Sequence, residues 1–585
     1  MVSCPACPVE SGDVFGKSDP STRGWCLRAS VTVVLVLALA IASTSPLPRL
    51  ATTHIPRGTE RSGTVPLLNL WTMWWNVDRI EQGYRDYWNA PIYHPVEGML
   101  ASVEPQTVVG LMAWPLRRLP LEWAAIYNVF VVLFLALNGW FACRLLQRMG
   151  LAWIVSLCGG AMMTVLPLVH WQIGVFQLIS LWGILWTFGA LVHFRRCPGA
   201  GRAAWLAVAF AVTYSLCCYY GLMLSLLLLI GSFPLLGRQL VQRRLWGWGG
   251  LSVAMALIIL SPILMAQLRF AQEHWFAYPE AWIYKLSACP GDYLRTPWPQ
   301  LIPLPDLGRN GAGYPWPLSP GTLKSTLALL GLAWGVWTRR RRRLTLWLGL
   351  CLVAAILLSM GPRLEIGDVS PYRWLANSYP GLACARSVFR FAFFVQLAVV
   401  LLAGIGLHGT YLRVRRWRAG AGRKWPAAVV VLVLGILMTA ETWPGRPKMY
   451  RLPKAVAESA WIGYLRHDLP DDACLAFLPL PVDNTASALQ PTAEWMYFQT
   501  RHELPMVNGY ATFVPDAFRE LRETLERFPN AEGIAALRTL GVTHLVVDRR
   551  VKAQVEPETM KKLGMDSVFQ DRQAHMEIWR IPNPS

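Results

Sequence analysis

Carboxylic acids recur along one aromatic stretch of the chain, at Asp78, Glu81, Asp86, Glu97 and Glu104. A carboxylate beside indole rings loses part of its hydration, which raises its pKa toward that of a usable general base. Asp78 follows Trp74 by four residues and Trp75 by three, so it shares their face of a helix. Glu104 stands where the stretch returns to the next apolar run. Asp78 and Glu104 are therefore the first candidates for a base, and Glu81 is a third; the alternative for each is a solvated or helix-capping carboxylate.

Two arginines, Arg386 and Arg390, stand at the start of a later apolar run. Residues four apart share a helix face, and the N–H groups at a helix N-terminus favour anions. Because a guanidinium group binds phosphate through two hydrogen bonds, the pair is a candidate phosphate site. The alternative is that both side chains snorkel to lipid headgroups. His94 and Trp88, from the aromatic stretch, are further candidate contacts for a bound substrate.

The chain that must position these residues is strongly apolar. Of its 585 residues, 54% are hydrophobic and 15% are charged, and the mean hydropathy is +0.33. A soluble domain usually carries about 25% charged residues, so the composition argues against a soluble single-core protein and against a disordered one. The 29 tryptophans point to a membrane protein, because indole rings collect at membrane–water interfaces.

Apolar runs that can cross a bilayer recur along the chain, since a spanning helix needs about 20 such residues. They predict an α-helical polytopic membrane protein with about eleven transmembrane helices, at 28–48, 121–147, 152–169, 174–194, 203–218, 219–236, 249–268, 321–338, 344–361, 388–409 and 425–443. The sequence contains neither a Walker loop nor a dinucleotide-binding glycine fingerprint. No cofactor is predicted; a divalent metal stays open, without a ligand motif.

The net charge of +20 comes from short basic blocks that follow every second apolar run. This pattern is the positive-inside rule, so it favours a bilayer over a nucleic acid as the partner and places the blocks in the cytoplasm. The N-terminal tail, 1–27, then lies in the cytoplasm, and 28–443 form the transmembrane domain. The outer face carries the loops 49–120, 269–320 and 362–387 and the C-terminal residues 444–585.

Residues 444–585 carry charges of both signs and alternate between helical and strand patterns. They are long enough for a core of their own and predict a small extracytoplasmic α/β domain. We expect strands at 474–480, 543–547 and 575–581, and helices at 516–527 and 531–540.

The first outer loop contains a predicted helix at 67–82, after a Thr64-Val65-Pro66 start signal. Its first half is apolar nearly all round, so we expect it in the membrane interface with its polar end toward water. The string after it is rich in proline and aromatic residues. This string either lines a cavity near the bilayer or wedges the loop into the interface.

Several motifs resemble those of one family. The string W-N-A-P-I-Y-H-P-x-x-G-x-L-x-x-x-E-P-Q, which begins at Trp88, looks like the first outer loop of bacterial membrane proteins related to the GT-C glycosyltransferases. The segment Arg386-Ser387-Val388-Phe389-Arg390-Phe391 resembles their entry into a late span. Asn508-Gly509-Tyr510 and the run from Leu540 to Val547 resemble their outer domain. GT-C proteins place an Asp soon after the first span, whereas this chain has His54 and Glu60 there and no Asp.

The resemblance implies an inverting hexosyltransferase in the bacterial cytoplasmic (inner) membrane that uses a polyprenyl-phosphate-linked sugar as donor. The acceptor, a glycan, lipid or protein of the cell envelope, is unknown. Two alternatives stay open: a non-catalytic membrane scaffold of the same fold, which the missing Asp favours, and a transporter of lipid-linked glycans. A transporter predicts charged residues inside several spans, and the predicted spans have few.

Overall fold

The computed structural model describes residues 22–274, 278–299, 314–367, 369–417, 425–453, 459–550 and 556–582. The first part of the chain is helical. Its helices are α1 (Thr22–Ser43), α2 (Thr64–Glu81), α3 (Thr107–Arg117), α4 (Trp123–Arg148), α5 (Trp153–Thr164), α6 (Pro167–Trp171), α7 (Trp182–Arg196), α8 (Ala200–Leu216), α9 (Cys218–Leu236), α10 (Arg243–Glu273), α11 (Glu280–Lys285), α12 (Thr322–Trp337), α13 (Arg342–Ser359), α14 (Pro371–Ser378), α15 (Ala392–Trp417) and α16 (Trp425–Glu441).

Each apolar run that was predicted to span is helical. Among the described residues, eight helical segments are long and apolar enough to cross a membrane. The runs at 203–218, 321–338 and 425–443 form the shorter helices α8, α12 and α16, which have 17, 16 and 17 residues. The class of polytopic helical membrane protein is confirmed, and the number of eleven crossings stays a prediction.

The C-terminal part combines helices with strands, and one further strand, β1, belongs to the first loop and pairs with β2. The elements are α17 (Ala460–His467), α18 (Gln490–His502), α19 (Asp516–Thr524), α20 (Ala531–Thr539), α21 (Pro557–Lys562), β1 (His54–Pro56), β2 (Met449–Arg451), β3 (Leu475–Leu478), β4 (His544–Asp548), β5 (Asp566–Asp571) and β6 (Met576–Arg580). The main sheet has the order β3-β4-β6-β5, with β3 and β4 parallel and the other pairs antiparallel.

This sheet has one core on each face. Ala476 and Leu545 point to a small core shared with α19, α20 and α21, whereas Phe477 and Val546 point to the main core of the protein. The small α/β domain is confirmed, and the three predicted strands correspond to β3, β4 and β6. Strand β5 was not predicted because most of its side chains are at least partly exposed, so an apolar alternation is weak.

The first outer loop is hydrogen-bonded to this domain. Strand β1 of the loop pairs antiparallel with β2, with Ile55 opposite Tyr450. Further along the loop, the Tyr93 N–H donates to the carbonyl of Asn508 at 3.3 Å, and the His94 N–H donates to that of Met506 at 3.1 Å. Backbone hydrogen bonds therefore join the two segments into one unit.

Helix α2 is enclosed by protein. Twelve of its residues are buried, and it packs against α3 and α18. The indole N–H of Trp71 donates to Gln499 of α18 at 2.8 Å. The sequence pattern predicted that α2 is apolar all round because it lies in the membrane interface. The structure gives a different reason: the loop and the C-terminal domain cover α2 on most sides.

The helical bundle has two ends with different partners. At one end, Arg341, between α12 and α13, donates to the carbonyl of Gly150, between α4 and α5, at 3.0 Å. At the other end, Glu122, the residue before α4, pairs with Arg501 of α18. We call these the basic end and the loop end. Helix α4 joins them and is roughly 39 Å long, at about 1.5 Å for each of its 26 residues.

Glycine allows close contact between α12 and α15. A Cβ on Gly406 would lie 2.2 Å from the carbonyl oxygen of Leu327, and one on Gly331 would lie 2.1 Å from that of Leu402. Small residues commonly form such contacts between membrane helices, because lipid is as apolar as leucine and association depends on close packing.

We expect Gly406→Val to destabilise the protein by about 1–3 kcal/mol or more, because the added side chain must push α12 away from α15. Thermal unfolding in detergent checks this. Gly201→Val is the matched control, since a Cβ at Gly201 of α8 meets nothing within 4 Å. Equal losses of stability in both variants would contradict the proposed close contact.

Candidate active site

Arg386 and Arg390 lie at the loop end, just before α15. Their segment is not the helix that was expected: residues 388–391 form a 3-10 turn, and α15 begins only at Ala392. Arg386 precedes that turn, after a separate 3-10 turn at 382–384. A shared α-helical face therefore does not bring the two side chains together, because residues four apart do not align in this backbone.

Each guanidinium group lies over a tyrosine ring. The Cζ atom of Arg390 is 4.4 Å from the ring centre of Tyr219, in the first turn of α9, and that of Arg386 is 5.2 Å from the ring centre of Tyr278. A cation is attracted to the face of an aromatic ring, so both side chains are held in place while their N–H edges stay available. The Nε atom of Arg390 is buried and has no hydrogen-bond acceptor among the described residues.

Glu104 faces Arg390 from the first loop. One of its oxygens, Oε1, accepts a hydrogen bond from the thiol of Cys217 at 3.6 Å. The other, Oε2, is buried and has no partner in the described part of the chain. Burial raises the pKa of Glu104 to about 7, although the nearby charge of Arg390 works in the opposite direction. A carboxyl group with a pKa near neutrality is suited to take up a proton.

Two asparagines of α2 place Glu104. Asn69 and Asn76 are two helical turns apart on one face, and both are buried. The Asn76 amide donates to the carbonyl of Pro105 at 2.7 Å, and Asn69 accepts a hydrogen bond from the side chain of Gln106 at 2.7 Å. The residues that follow Glu104 are thus fixed to α2 by side-chain hydrogen bonds.

Glu60 is a second acid near the arginine pair. Its charge interacts most strongly with Arg390, then with Arg386 and then with Arg57, and burial raises its pKa despite these cations. Tyr510 of the C-terminal domain belongs to the same group, because its hydroxyl interacts with both Glu60 and Arg386. This cluster of side chains therefore joins residues from the first loop, α9, the turn before α15 and the C-terminal domain.

The turn that carries Glu60 is anchored on two sides. The N–H groups of Arg57 and Gly58 donate to the carbonyl of Lys448, next to the β1–β2 pair. The hydroxyl of Thr59 donates to the carbonyl of Trp171 at 3.2 Å. Gly58 has φ of +58°, and a Cβ there would lie 2.9 Å from a backbone nitrogen, so the close approach to α6 needs glycine.

Sequence reasoning noted Glu60 but did not select it as a base. A signal was present: Glu60 is the only acidic residue between position 22 and Asp78. It stands where the family pattern has an Asp, with a carboxylate on a side chain one methylene longer. The tyrosines were not predicted, because nothing in the local sequence places Tyr219 or Tyr278 beside an arginine.

Asp78 and Glu81 lie elsewhere. Asp78 pairs with its neighbour Arg79 at 2.5 Å and accepts hydrogen bonds from Gln82 at 3.2 Å. Glu81 is exposed. Among the described residues, no contact or charge interaction links either acid with Arg386 or Arg390, so the structure brings only Glu104 of the three predicted acids to the arginine pair.

His94 and Trp88 also lie outside this group. His94 packs near Gly541 of the C-terminal domain, and burial lowers its pKa. Trp88 packs against α8 and α10 and has its ring 4.8 Å from that of Tyr87, edge to face. Both residues occupy positions that hold the first loop to its neighbours.

The described residues contain no cluster of three or more His, Cys, Asp or Glu side chains that could hold a metal ion. The cluster provides two carboxyl groups and two guanidinium groups, and the buried Nε of Arg390 and Oε2 of Glu104 lack partners among the described residues. Such a set can take a proton from a hydroxyl group and can bind a phosphate.

Comparisons with known proteins bear on the fold. No protein-family model matches the sequence, and no curated protein matches it in sequence. The crystal structure of the oligosaccharyltransferase of Archaeoglobus fulgidus in the apo form is similar over 94% of this chain and 73% of its own, at 12% identity and a TM-score of 0.50. The chain has the GT-C fold.

Another GT-C structure, ArnT from Cupriavidus metallidurans, aligns with lower scores. Its apo form covers 96% of this chain and 100% of its own, at 13% identity and a TM-score of 0.44. The form bound to undecaprenyl phosphate covers 96% and 99%, at 14% identity and a TM-score of 0.45. The resemblance drawn from the sequence motifs is confirmed for the fold alone, by the similarity to the oligosaccharyltransferase structure.

Proposed function

We propose that this protein is a membrane glycosyltransferase that moves a sugar from a polyprenyl-phosphate donor to an acceptor of the cell envelope. The observation that supports this most is that the buried Oε2 of Glu104 and the buried Nε of Arg390 both lack a partner among the described residues. Sugar transfer needs a base for the acceptor hydroxyl and a cation for the leaving phosphate.

In the transfer, Glu104 takes the proton of the acceptor hydroxyl while the hydroxyl oxygen bonds to the anomeric carbon of the sugar. The bond from that carbon to the phosphate oxygen breaks, and its electron pair leaves with the polyprenyl phosphate. Arg390 and Arg386 stabilise the charge that grows on this phosphate. Attack from the face opposite the leaving group inverts the configuration at the anomeric carbon. Glu60, whose charge interacts with both arginines, orients the guanidinium groups.

The proposed orientation follows from the charges. Basic connections between helices belong in the cytoplasm by the positive-inside rule, which puts the loop end, with Glu104 and Arg390, on the outer face of the bacterial cytoplasmic membrane. A polyprenyl chain then lies in the bilayer beside α9 and α15 while its phosphate reaches the arginines.

We expect the purified protein to retain a polyprenyl-phosphate sugar in native mass spectrometry, and we expect Arg386→Ala to weaken this retention by about tenfold or more, because the phosphate loses one of two cations. Arg373→Ala is the matched control: it removes an exposed arginine that pairs with Glu280 on the same face of the protein. If no donor from a panel of hexose and aminosugar lipids binds, the transferase proposal fails and a non-catalytic scaffold explains the fold.

A further inference from the structure

At the basic end, a groove opens between α1, α4 and α5 and continues between α4, α7 and α8. Its first part has a volume of about 190 Å³ and is lined by Trp25, Arg28, Trp140 and Arg144, among others. Its second part has a volume of about 320 Å³ and shares Trp140 and Arg144 with the first. We call the two parts together the basic groove. It lies toward the opposite end of the helical bundle from Glu104 and Arg390.

The groove concentrates positive charge, and the described residues that line it include no Asp or Glu. Arg144 and Arg148 project from one face of α4, and Arg196 of α7 donates a hydrogen bond to the Arg148 carbonyl. No Asp or Glu occurs between Glu122 and Glu273, a stretch that contains nine arginines. Because like charges repel, an anion stabilises an arginine cluster of this kind, and no Asp or Glu among the described residues lines the groove.

The donors of the groove are held ready for such an anion. The guanidinium carbon of Arg144 is 5.6 Å from the ring centre of Trp25 and 5.7 Å from that of Trp140, so the side chain is fixed between two indoles. The indole nitrogen of Trp186 is buried and has no acceptor among the described residues. A guanidinium pair and an indole N–H are all donors, and a phosphate oxygen is the acceptor that matches them.

The second part of the groove adds an apolar wall. Phe141, Leu185, Trp186 and Trp205 line it beside the two arginines. The ring of Trp205 stands edge to face on that of Trp186, with 5.1 Å between centres, and is 46% exposed. A site with cations at its rim and an apolar wall below fits a molecule that has a phosphate head and a hydrocarbon chain.

We propose that the basic groove binds an anionic phospholipid, with the phosphodiester at Arg144, Arg148 and the Trp186 N–H and an acyl chain along Phe141 and Trp205. Basic pockets between membrane helices are known to accept such headgroups. The positive-inside rule explains why arginines occur at this end; it does not explain indoles packed around them or a buried N–H donor without an acceptor.

The test is native mass spectrometry of the full chain with phosphatidylglycerol, cardiolipin and phosphatidylcholine. We expect the two anionic lipids to bind at least tenfold more tightly than phosphatidylcholine. The double variant Arg144→Gln/Arg148→Gln should remove that preference. The control Arg238→Gln/Arg243→Gln removes the same charge from another connection at the basic end and should change affinity less than twofold.

A second variant guards against misfolding or altered topology. Trp186→Phe keeps an aromatic side chain and all charges but replaces the indole, with its N–H, by a smaller benzene ring, and we expect it to weaken anionic lipid binding severalfold. The proposal is overturned if wild type binds anionic and zwitterionic lipids equally, or if both double variants lose the same affinity for anionic lipids. It is also overturned if millimolar inorganic phosphate displaces the lipid, because that would indicate a site for free phosphate. None of these outcomes depends on the donor panel, so this proposal and the transferase proposal can fail separately.

Discussion

Arg390→Gln is expected to lower kcat/KM for sugar transfer by about 10²–10³-fold, measured as release of polyprenyl phosphate from a labelled donor in membranes. Loss of one preorganised donor at a site of developing charge costs about that much in other enzymes. We expect a larger loss of activity from substitution of Arg390 than of Arg386, because Arg390 is partly buried, lies on Tyr219 and interacts with both Glu60 and Glu104.

The conservative variant separates charge from geometry. Arg390→Lys keeps the positive charge and loses the planar fork, so its activity should fall between that of the glutamine variant and wild type. Arg373→Gln, at an exposed ion pair, should stay within twofold of wild type. If Arg390→Gln keeps more than a third of the wild-type activity while remaining folded, Arg390 does not hold the leaving phosphate.

Glu104→Gln is expected to lower kcat by about 10²–10⁴-fold, the usual contribution of a general base. The amide is close in size to the carboxyl group but is not a usable base, so the site keeps its packing and loses its base. Glu97→Gln is the matched control, since Glu97 belongs to the same loop and is exposed. A Glu60→Gln variant that loses more activity than Glu104→Gln would move the base to Glu60.

The raised pKa of Glu104 predicts how the transfer activity and the stability of the fold change with pH. The pKa of Glu104 is raised to about 7, so the carboxylate form, which is the base, predominates above that pH. The kcat/KM of wild type should rise with pH and level off above about 7, and the rise should vanish in Glu104→Gln. The stability of the fold should change with pH in the opposite direction. Because the pKa of Glu104 is raised, the folded state binds this proton more tightly than the unfolded state does. Glu104 therefore stabilises the fold below its unfolded pKa, and this contribution is lost as pH rises toward 7.

These two variants depend on a site that local sequence patterns describe only in part. The arginine pair could be selected because a charged residue at the edge of an apolar run is unusual, and Glu104 because it stands where the loop returns to the helices. Asp78 met the same local criteria and was selected first. In the structure, Asp78 pairs with the adjacent residue, Arg79. The helical pattern placed Asp78 on the same face as Trp74 and Trp75, but it did not predict the direction of the Arg79 side chain.

Glu60 illustrates the opposite case. Its neighbours in sequence, Thr59 and Arg61, say little about its role, and the residues that surround it come from positions 386, 390 and 510. Contacts between such distant positions depend on how β1 pairs with β2 and how the turn at Gly58 meets α6. Neither can be calculated from composition or periodicity.

The membrane class, the helical runs, the grouping of basic connections and the α/β character of the C-terminal residues could all be predicted from the sequence, because hydropathy, charge and periodicity are local properties of each segment. Tertiary structure alone decided that α2 is enclosed by protein, that Glu60 joins Glu104 at the arginines, and that tyrosines from other elements support both guanidinium groups. The physical reason is that burial and electrostatic partners are shared between segments, so they come into existence only when the segments pack.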